Sequence, residues 1–275
     1  MDADTGATIG NIFKVVFIVV AIVTLYYLYN YLFVRSVDST VTLFREVKNV
    51  NQVQPLIKTS DQFPPLLEGG EYTASFWLYI QNWGSRTGYN KHVLSIGTTA
   101  NGFYTLVVFL GANSNTLHIR VQATDSPTGS GPSVIPALTN ANVEALFSSP
   151  MVGDGSNLPG VSADIPNIEM QKWTLVSIAL NGNSIDVYMD GKLAKSVVAP
   201  SFFRVPQGGY QLTGFASNGF GGYMSNLQLA ASAINPEEAN RLYQGGPVGV
   251  ASFLEWLRSF FDPTAMENMI YPKMN

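Results

Sequence analysis

The chain has 275 residues, no cysteine and a formal charge of −4, with only 12% of its residues charged. Disulfides and thiolate metal sites are therefore excluded, and without a basic face so is nucleic acid as a partner. The missing disulfides, together with the lack of any Asn-x-Ser/Thr sequon, lean towards a reducing compartment, although a prokaryotic origin explains the second absence equally well.

In chain order, a polar tail over residues 1–14 leads into residues 15–34, VVFIVVAIVTLYYLYNYLFV. Thr24 and Asn30 interrupt this run, and no charge does. About 20 apolar residues suffice to cross a hydrocarbon core of ~30 Å, so a transmembrane helix is expected here. Val15, Phe17, Leu25 and Val34 belong to its apolar surface, and Tyr26, Tyr27, Tyr29 and Tyr31 suit an aromatic belt at the headgroups. The segment is too long, and ends too bulkily, for a cleaved signal peptide. Lys14 precedes it, whereas Arg35, Arg45 and Lys48 follow. The positive-inside rule then places the large domain on the cytosolic face.

Residues 35–70 read as a stalk, stiffened by Pro55, Pro64 and Pro65 and punctuated by Gly69-Gly70. From residue 71 to 246 the pattern becomes short strands and turns. Strands are expected at 72–80, 92–97, 103–110, 116–122, 173–180, 184–189, 192–198, 210–215 and 222–230. Leu117, Ile119 and Val121 alternate with His118, Arg120 and Gln122, the period of a half-buried strand. Asn181-Gly182 and Asp190-Gly191 mark two tight hairpins in series. About nine strands with little helix imply an all-β fold, two antiparallel sheets packed as a sandwich. Residues 124–170 read as one long loop, either a functional loop or a tolerated surface insertion. A helix is expected after Asn235, with Pro236 at its first position and Glu237 and Glu238 at the positive end of its dipole.

Residues 247–275 leave the β pattern. Phe253, Leu254, Trp256, Leu257, Phe260 and Phe261 recur at helical spacing before Pro263. This amphipathic helix either packs back on the sandwich or docks a partner or the membrane surface, with Phe253, Trp256, Leu257, Phe260 and Phe261 as the contacts.

The usual catalytic and ligand constellations are missing. His92 and His118 stand alone, without the spacing of a zinc site. No Gly-x-Ser-x-Gly elbow occurs, and Gly219 to Gly222 does not match a phosphate loop. Glu144 and Glu169 are isolated, so the facing carboxylates of a glycosidase are not apparent. Asp186 and Asp190 read as strand and turn residues. Trp83, Tyr89 and Tyr104 are candidates to stack on a sugar ring, against the commoner role of aromatics as core or edge. The expectation is no cofactor, no metal and no enzymatic activity.

Three stretches carry a resemblance. KWTLVSIALNGNSIDVYMDGKLAKSVV, with Trp173, Asn181-Gly182 and Tyr188 to Gly191, resembles the centre of a concanavalin A-like lectin/glucanase domain of the laminin G type. YTASFWLYI, with Trp77, resembles its early strand, and GFASNGFGGYMSNLQLAASAINPEEANRLY its closing strand and helix. The family's closing strand usually carries an acidic pair where Ser225 and Asn226 stand here, so the resemblance does not extend to a calcium role. The arrangement of short tail, tyrosine-rich anchor and cysteine-free sandwich also resembles membrane-associated minor capsid proteins of large icosahedral DNA viruses. That resemblance implies a structural protein of the virion, linking an internal membrane to capsid-type proteins around it. A membrane-tethered lectin with a carbohydrate ligand is the alternative, and a glycoside hydrolase-like enzyme ranks third.

Overall fold

The computed structural model describes residues 14, 16–26, 40–51, 53–98, 102–123, 137–150, 158–207 and 209–247. The chain divides into two units, Met1–Asp38 and Ser39–Asn275. In the first, residues 16–26 are helical, and Val16, Phe17, Val20 and Leu25 are all more than half exposed. Among the described residues no helix is long and apolar enough to cross a membrane. Val15, Tyr27, Tyr29, Tyr31 and Val34 of the expected anchor lie outside the described residues, as do Phe253, Trp256, Leu257, Phe260 and Phe261 of the expected C-terminal helix.

The second unit is a sandwich of two antiparallel sheets. Its strands are β1 (Thr40–Phe44), β2 (Lys48–Asn49), β3 (Leu56–Thr59), β4 (Glu71–Ile80), β5 (Lys91–Gly97), β6 (Tyr104–Leu110), β7 (Leu117–Val121), β8 (Val161–Ser162), β9 (Trp173–Asn181), β10 (Ser184–Met189), β11 (Lys192–Val198), β12 (Gln211–Gly214) and β13 (Gly222–Ala230). One sheet runs β1-β13-β4-β9-β10-β11, with β2 also on β13; the other runs β3-β12-β5-β6-β7-β8. In each sheet a late strand therefore lies between two early ones: β13 between β1 and β4, and β12 between β3 and β5.

The pleat sorts the side chains. Along β4, Tyr72, Ala74, Phe76, Leu78 and Ile80 face the core, meeting Leu94 and Ile96 of β5 and Leu106 and Val108 of β6 in one buried cluster. Thr73, Ser75, Trp77 and Tyr79 take the other face. A one-residue slip would exchange the two sets, so burial fixes the register. The Asp190-Gly191 turn has φ of 50° and 77°, the left-handed pair of a two-residue hairpin. The loop between β9 and β10 comprises Gly182 and Asn183, one residue later than the sequence suggests, because Asn181 still pairs with Ser184.

The expected stalk is a correction. Residues 40–70 supply strands to both sheets: Val41 pairs with Leu229 at one edge, and Ile57 with Thr213 at another. Short edge strands interrupted by prolines lack the apolar alternation that marks inner strands, and so read as linker. The expected 124–170 loop is corrected as well. Among its described residues it holds helix α1 (Asn140–Ser148) and strand β8. Thr139 caps α1 by accepting from the Asn142 N–H, while Val143, Leu146 and Phe147, at helical spacing, are buried. A second helix, α2 (Pro236–Gln244), carries a complete capping box between Asn235 and Glu238, worth about 1 kcal/mol.

The two helices cover the outer sheet faces. Ala239 of α2 packs on Ala179 and Tyr188, and Tyr243 stacks on Trp77 at 5.7 Å. On the other sheet, Val143, Leu146 and Phe147 of α1 pack on Val107 and Phe109 of β6. The alternation in β7 therefore does not mark a solvent face: His118, Arg120 and Gln122 are no more than 2% exposed.

Candidate functional site

Under α1 lies a cleft of about 350 Å³. Its floor is the outer face of the second sheet: His92 and Ser95 of β5, Tyr104 of β6 and Thr213 of β12. Val143, Glu144, Phe147 and Ser148 of α1 form one wall, and Ala216 and Ser217 close the end after β12. The helix is held over the sheet at its C-terminus, where the Asn90 amide donates to the Leu146 carbonyl at 3.3 Å and the Arg86 guanidinium to the Phe147 carbonyl. A cation there also suits the negative end of the helix dipole.

The end wall is strained. Phe215 and Ser217 have φ of 58° and 53°, a left-handed conformation that costs non-glycine residues on the order of 1 kcal/mol each. Between them the Ala216 N–H donates to Nδ1 of His92 at 3.1 Å. That bond requires Nδ1 to be unprotonated, so the neutral ring carries its proton on Nε2 and donates it to the Ser95 hydroxyl 3.0 Å away. Burial, aided by the Arg86 charge, pushes the His92 pKa down to about 3, so the ring is neutral at pH 7. A histidine that activates a hydroxyl must present it a bare nitrogen. His92 presents Ser95 with an N–H, which orients the hydroxyl oxygen rather than removing its proton.

Beside the cleft, Asp164 binds Nδ1 of His118 at 3.0 Å, the guanidinium of Arg120 and the Ile119 N–H. Burial alone would raise the carboxyl pKa. The hydrogen bonds and charges of His118 and Arg120 outweigh it and hold the group well below the usual carboxylate range. His118 also stacks on Phe109 at 4.7 Å. This cluster pins the 158–168 segment onto β7 and is structural. Among the described residues no three His, Asp or Glu side chains gather to hold a metal ion.

Of the three candidate sugar-stacking residues, Tyr104 lines the cleft. Trp83 instead packs against the core with the Lys91 ammonium 4.8 Å from its ring centre, and Tyr89 lies beneath Arg86 at 5.3 Å. The cleft residues His92, Ser95, Glu144, Thr213 and Ser217 come from three separate stretches with no shared motif. A signal was present for Glu144, because Val143, Leu146 and Phe147 around it already have helical spacing.

No family model matches the chain, and no curated protein matches it. Solved structures do. The receptor-binding domain of botulinum neurotoxin C/D mosaic serotype matches at 14% identity and a TM-score of 0.43, over 64% of this chain and 36% of that one. The serotype G binding domain matches at 13% and 0.40, over 64% and 37%. The serotype D ligand binding domain, solved in complex with N-acetylneuraminic acid, matches at 12% and 0.46, over 73% and 46%. The chain thus corresponds to less than half the length of each of these neighbours. At these identities and scores the likeness transfers no residue and no ligand.

Proposed function

We propose that the concanavalin A-type sandwich is a sugar-binding module on a membrane-anchored chain, and that the cleft under α1 is its binding site. The lining of the cleft carries this reading. The hydroxyls of Ser95, Thr213 and Ser217, the Glu144 carboxylate and the Tyr104 ring surround about 350 Å³, the lower end of the range for small-ligand sites. Hydroxyl and carboxylate groups beside an aromatic ring match a sugar's alternating hydroxyl rim and apolar faces. The charged side chain in the lining is an acid, which favours neutral over anionic sugars. The strained Ser217 fits a wall whose conformation serves a ligand. The 15–34 segment anchors the module in the bilayer, and no catalytic role is assigned.

Calorimetric titration of the full chain with neutral and sialylated oligosaccharides tests the reading. Binding of a neutral sugar, weakened at least tenfold by Tyr104→Ala and by Thr213→Val, supports it. Absence of binding, or binding indifferent to both substitutions, defeats it.

One observation favours a second reading, a structural link between a membrane and capsid-type proteins with the domain on the cytosolic face. Among the described residues strand β11 is a sheet edge, with Leu193 52% and Val198 71% exposed. Proteolysis of sealed membranes and of assembled particles separates the two. Cleavage of the domain in membranes but not in particles favours the structural link.

A further inference from the structure

The hydrogen bonds lining the cleft have a fixed polarity. The Ala216 N–H can only donate, so Nδ1 of His92 accepts and Nε2 carries the ring proton. That N–H fills one lone pair of the Ser95 hydroxyl at 3.0 Å, and the hydroxyl's own proton points away from the ring. Thr213 pairs in register with Ser95 across β12 and β5, so the two hydroxyls stand side by side on the floor, their Cβ atoms about 4.5–5.5 Å apart. The Thr213 oxygen likewise accepts from the Gln211 side-chain amide, at 3.3 Å. The floor thus offers two oriented O–H donors. The wall has the opposite polarity. Glu144 is exposed on α1, and an ionised carboxylate carries acceptors only. Burial, helped by the Glu144 charge, raises the pKa of the Tyr104 phenol, so acid and ring share one corner. Val143, Phe147 and Ala216 add apolar surface to the same cleft.

Resting on the reading of this cleft as a sugar site, we propose that its ligand is a neutral 2-acetamido sugar, held through the acetamido group. A trans amide points its C=O and its N–H in opposite directions and ends in a methyl group. The carbonyl accepts from Ser95 and Thr213, the N–H donates to Glu144, and the methyl lies on Val143, Phe147 and Ala216. The sugar ring then meets Tyr104. A plain hydroxyl in the same place asks one oxygen to serve floor and wall together, and it leaves the apolar surface unfilled. It also leaves a floor donor short of an acceptor at Ser95, which is 2% exposed. A site built to hydrogen-bond a group rejects the analogue that lacks it. An acidic sugar bearing the same acetamido group is repelled by Glu144.

Calorimetric titration of the full chain with glucose, galactose and their 2-acetamido-2-deoxy derivatives tests this. One acetamido sugar should bind about tenfold or more tighter than its parent, the worth of one hydrogen bond to a charged group. Glu144→Leu, an exposed change that spares the core, and Ser95→Ala should each remove most of that preference. Equal binding of acetamido sugar and parent overturns the inference and leaves the sugar-binding reading standing. A preference that survives both substitutions overturns it as well. Binding of none of the four sugars defeats the reading itself, and the inference with it.

Discussion

Gly222 and Tyr79 meet so closely that a Cβ on the glycine would stand 2.0 Å from the Tyr79 carbonyl oxygen. Neither backbone can yield, because Gly222 pairs with Ile80 at the start of β13. The glycine-rich stretch over 219–222, which matches no phosphate loop, is a packing device. Gly219 is equally tight, its Cβ position lying 2.3 Å from a Val50 methyl.

Gly222→Ala should therefore destabilise the fold by about 3 kcal/mol or more. Gly88→Ala, at φ +79° with nothing within 4 Å, should cost only about 1 kcal/mol, the strain of a left-handed alanine. Urea unfolding midpoints compare the two.

His92 makes stability depend on acid. Its pKa is pushed down to about 3 in the folded chain, against ~6.5 unfolded. Between those values the unfolded chain takes up a proton that the folded one refuses, so stability falls as pH drops from about 6.5 to about 3. Between pH 7 and pH 5, wild type should lose about 2 kcal/mol more than His92→Gln, measured by urea titration at each pH.

Lys91 acts at the other end of the scale. Its ammonium donates to the carbonyls of Tyr89, Gly111 and Ala112, each at 3.2 Å. Burial, with the Arg86 charge, pushes its pKa down to about 8. From there to ~10.4, the unfolded value, the unfolded chain binds more protons, so stability should rise with pH across that window. Lys91→Met should abolish the rise, as thermal unfolding at pH 7, 8.5 and 10 would record.

Asp164→Asn strips a counter-charge from Arg120, which is 1% exposed. A loss of about 3 kcal/mol is expected. Arg120→Met/Asp164→Leu should recover more than half of it, since a well-packed apolar pair can replace a buried ion pair. A double-mutant cycle by chemical denaturation checks this.

The inner strands were legible because they are long and rich in apolar residues. YTASFWLYI and WTLVSIALN read as strands on their own composition and length, and Asp190-Gly191 marks its turn. Strands β1 to β3 were not, since an edge strand of two to five residues borrows its register from its partner. The burial of His118 and Arg120, on a strand that reads as half-buried, was hidden for a related reason. Period two reports which residues share a face, but what covers that face is settled by a segment 44 residues beyond Arg120, where Asp164 stands. The cleft was hidden in the same way: Ser95 and Thr213 lie far apart in sequence and meet only because β12 pairs with β5.

That late insertion of β12 and β13 has a consequence during synthesis. As the chain leaves the ribosome, β1 and β4 wait with facing edges unsatisfied until some 220 residues have been made, and β3 and β5 wait nearly as long. Neither sheet can close from its N-terminal strands alone. A nascent chain stalled before residue 211 would display open strand edges on both layers, a template for aggregation, so holding by a chaperone through that interval would decide the yield of folded protein.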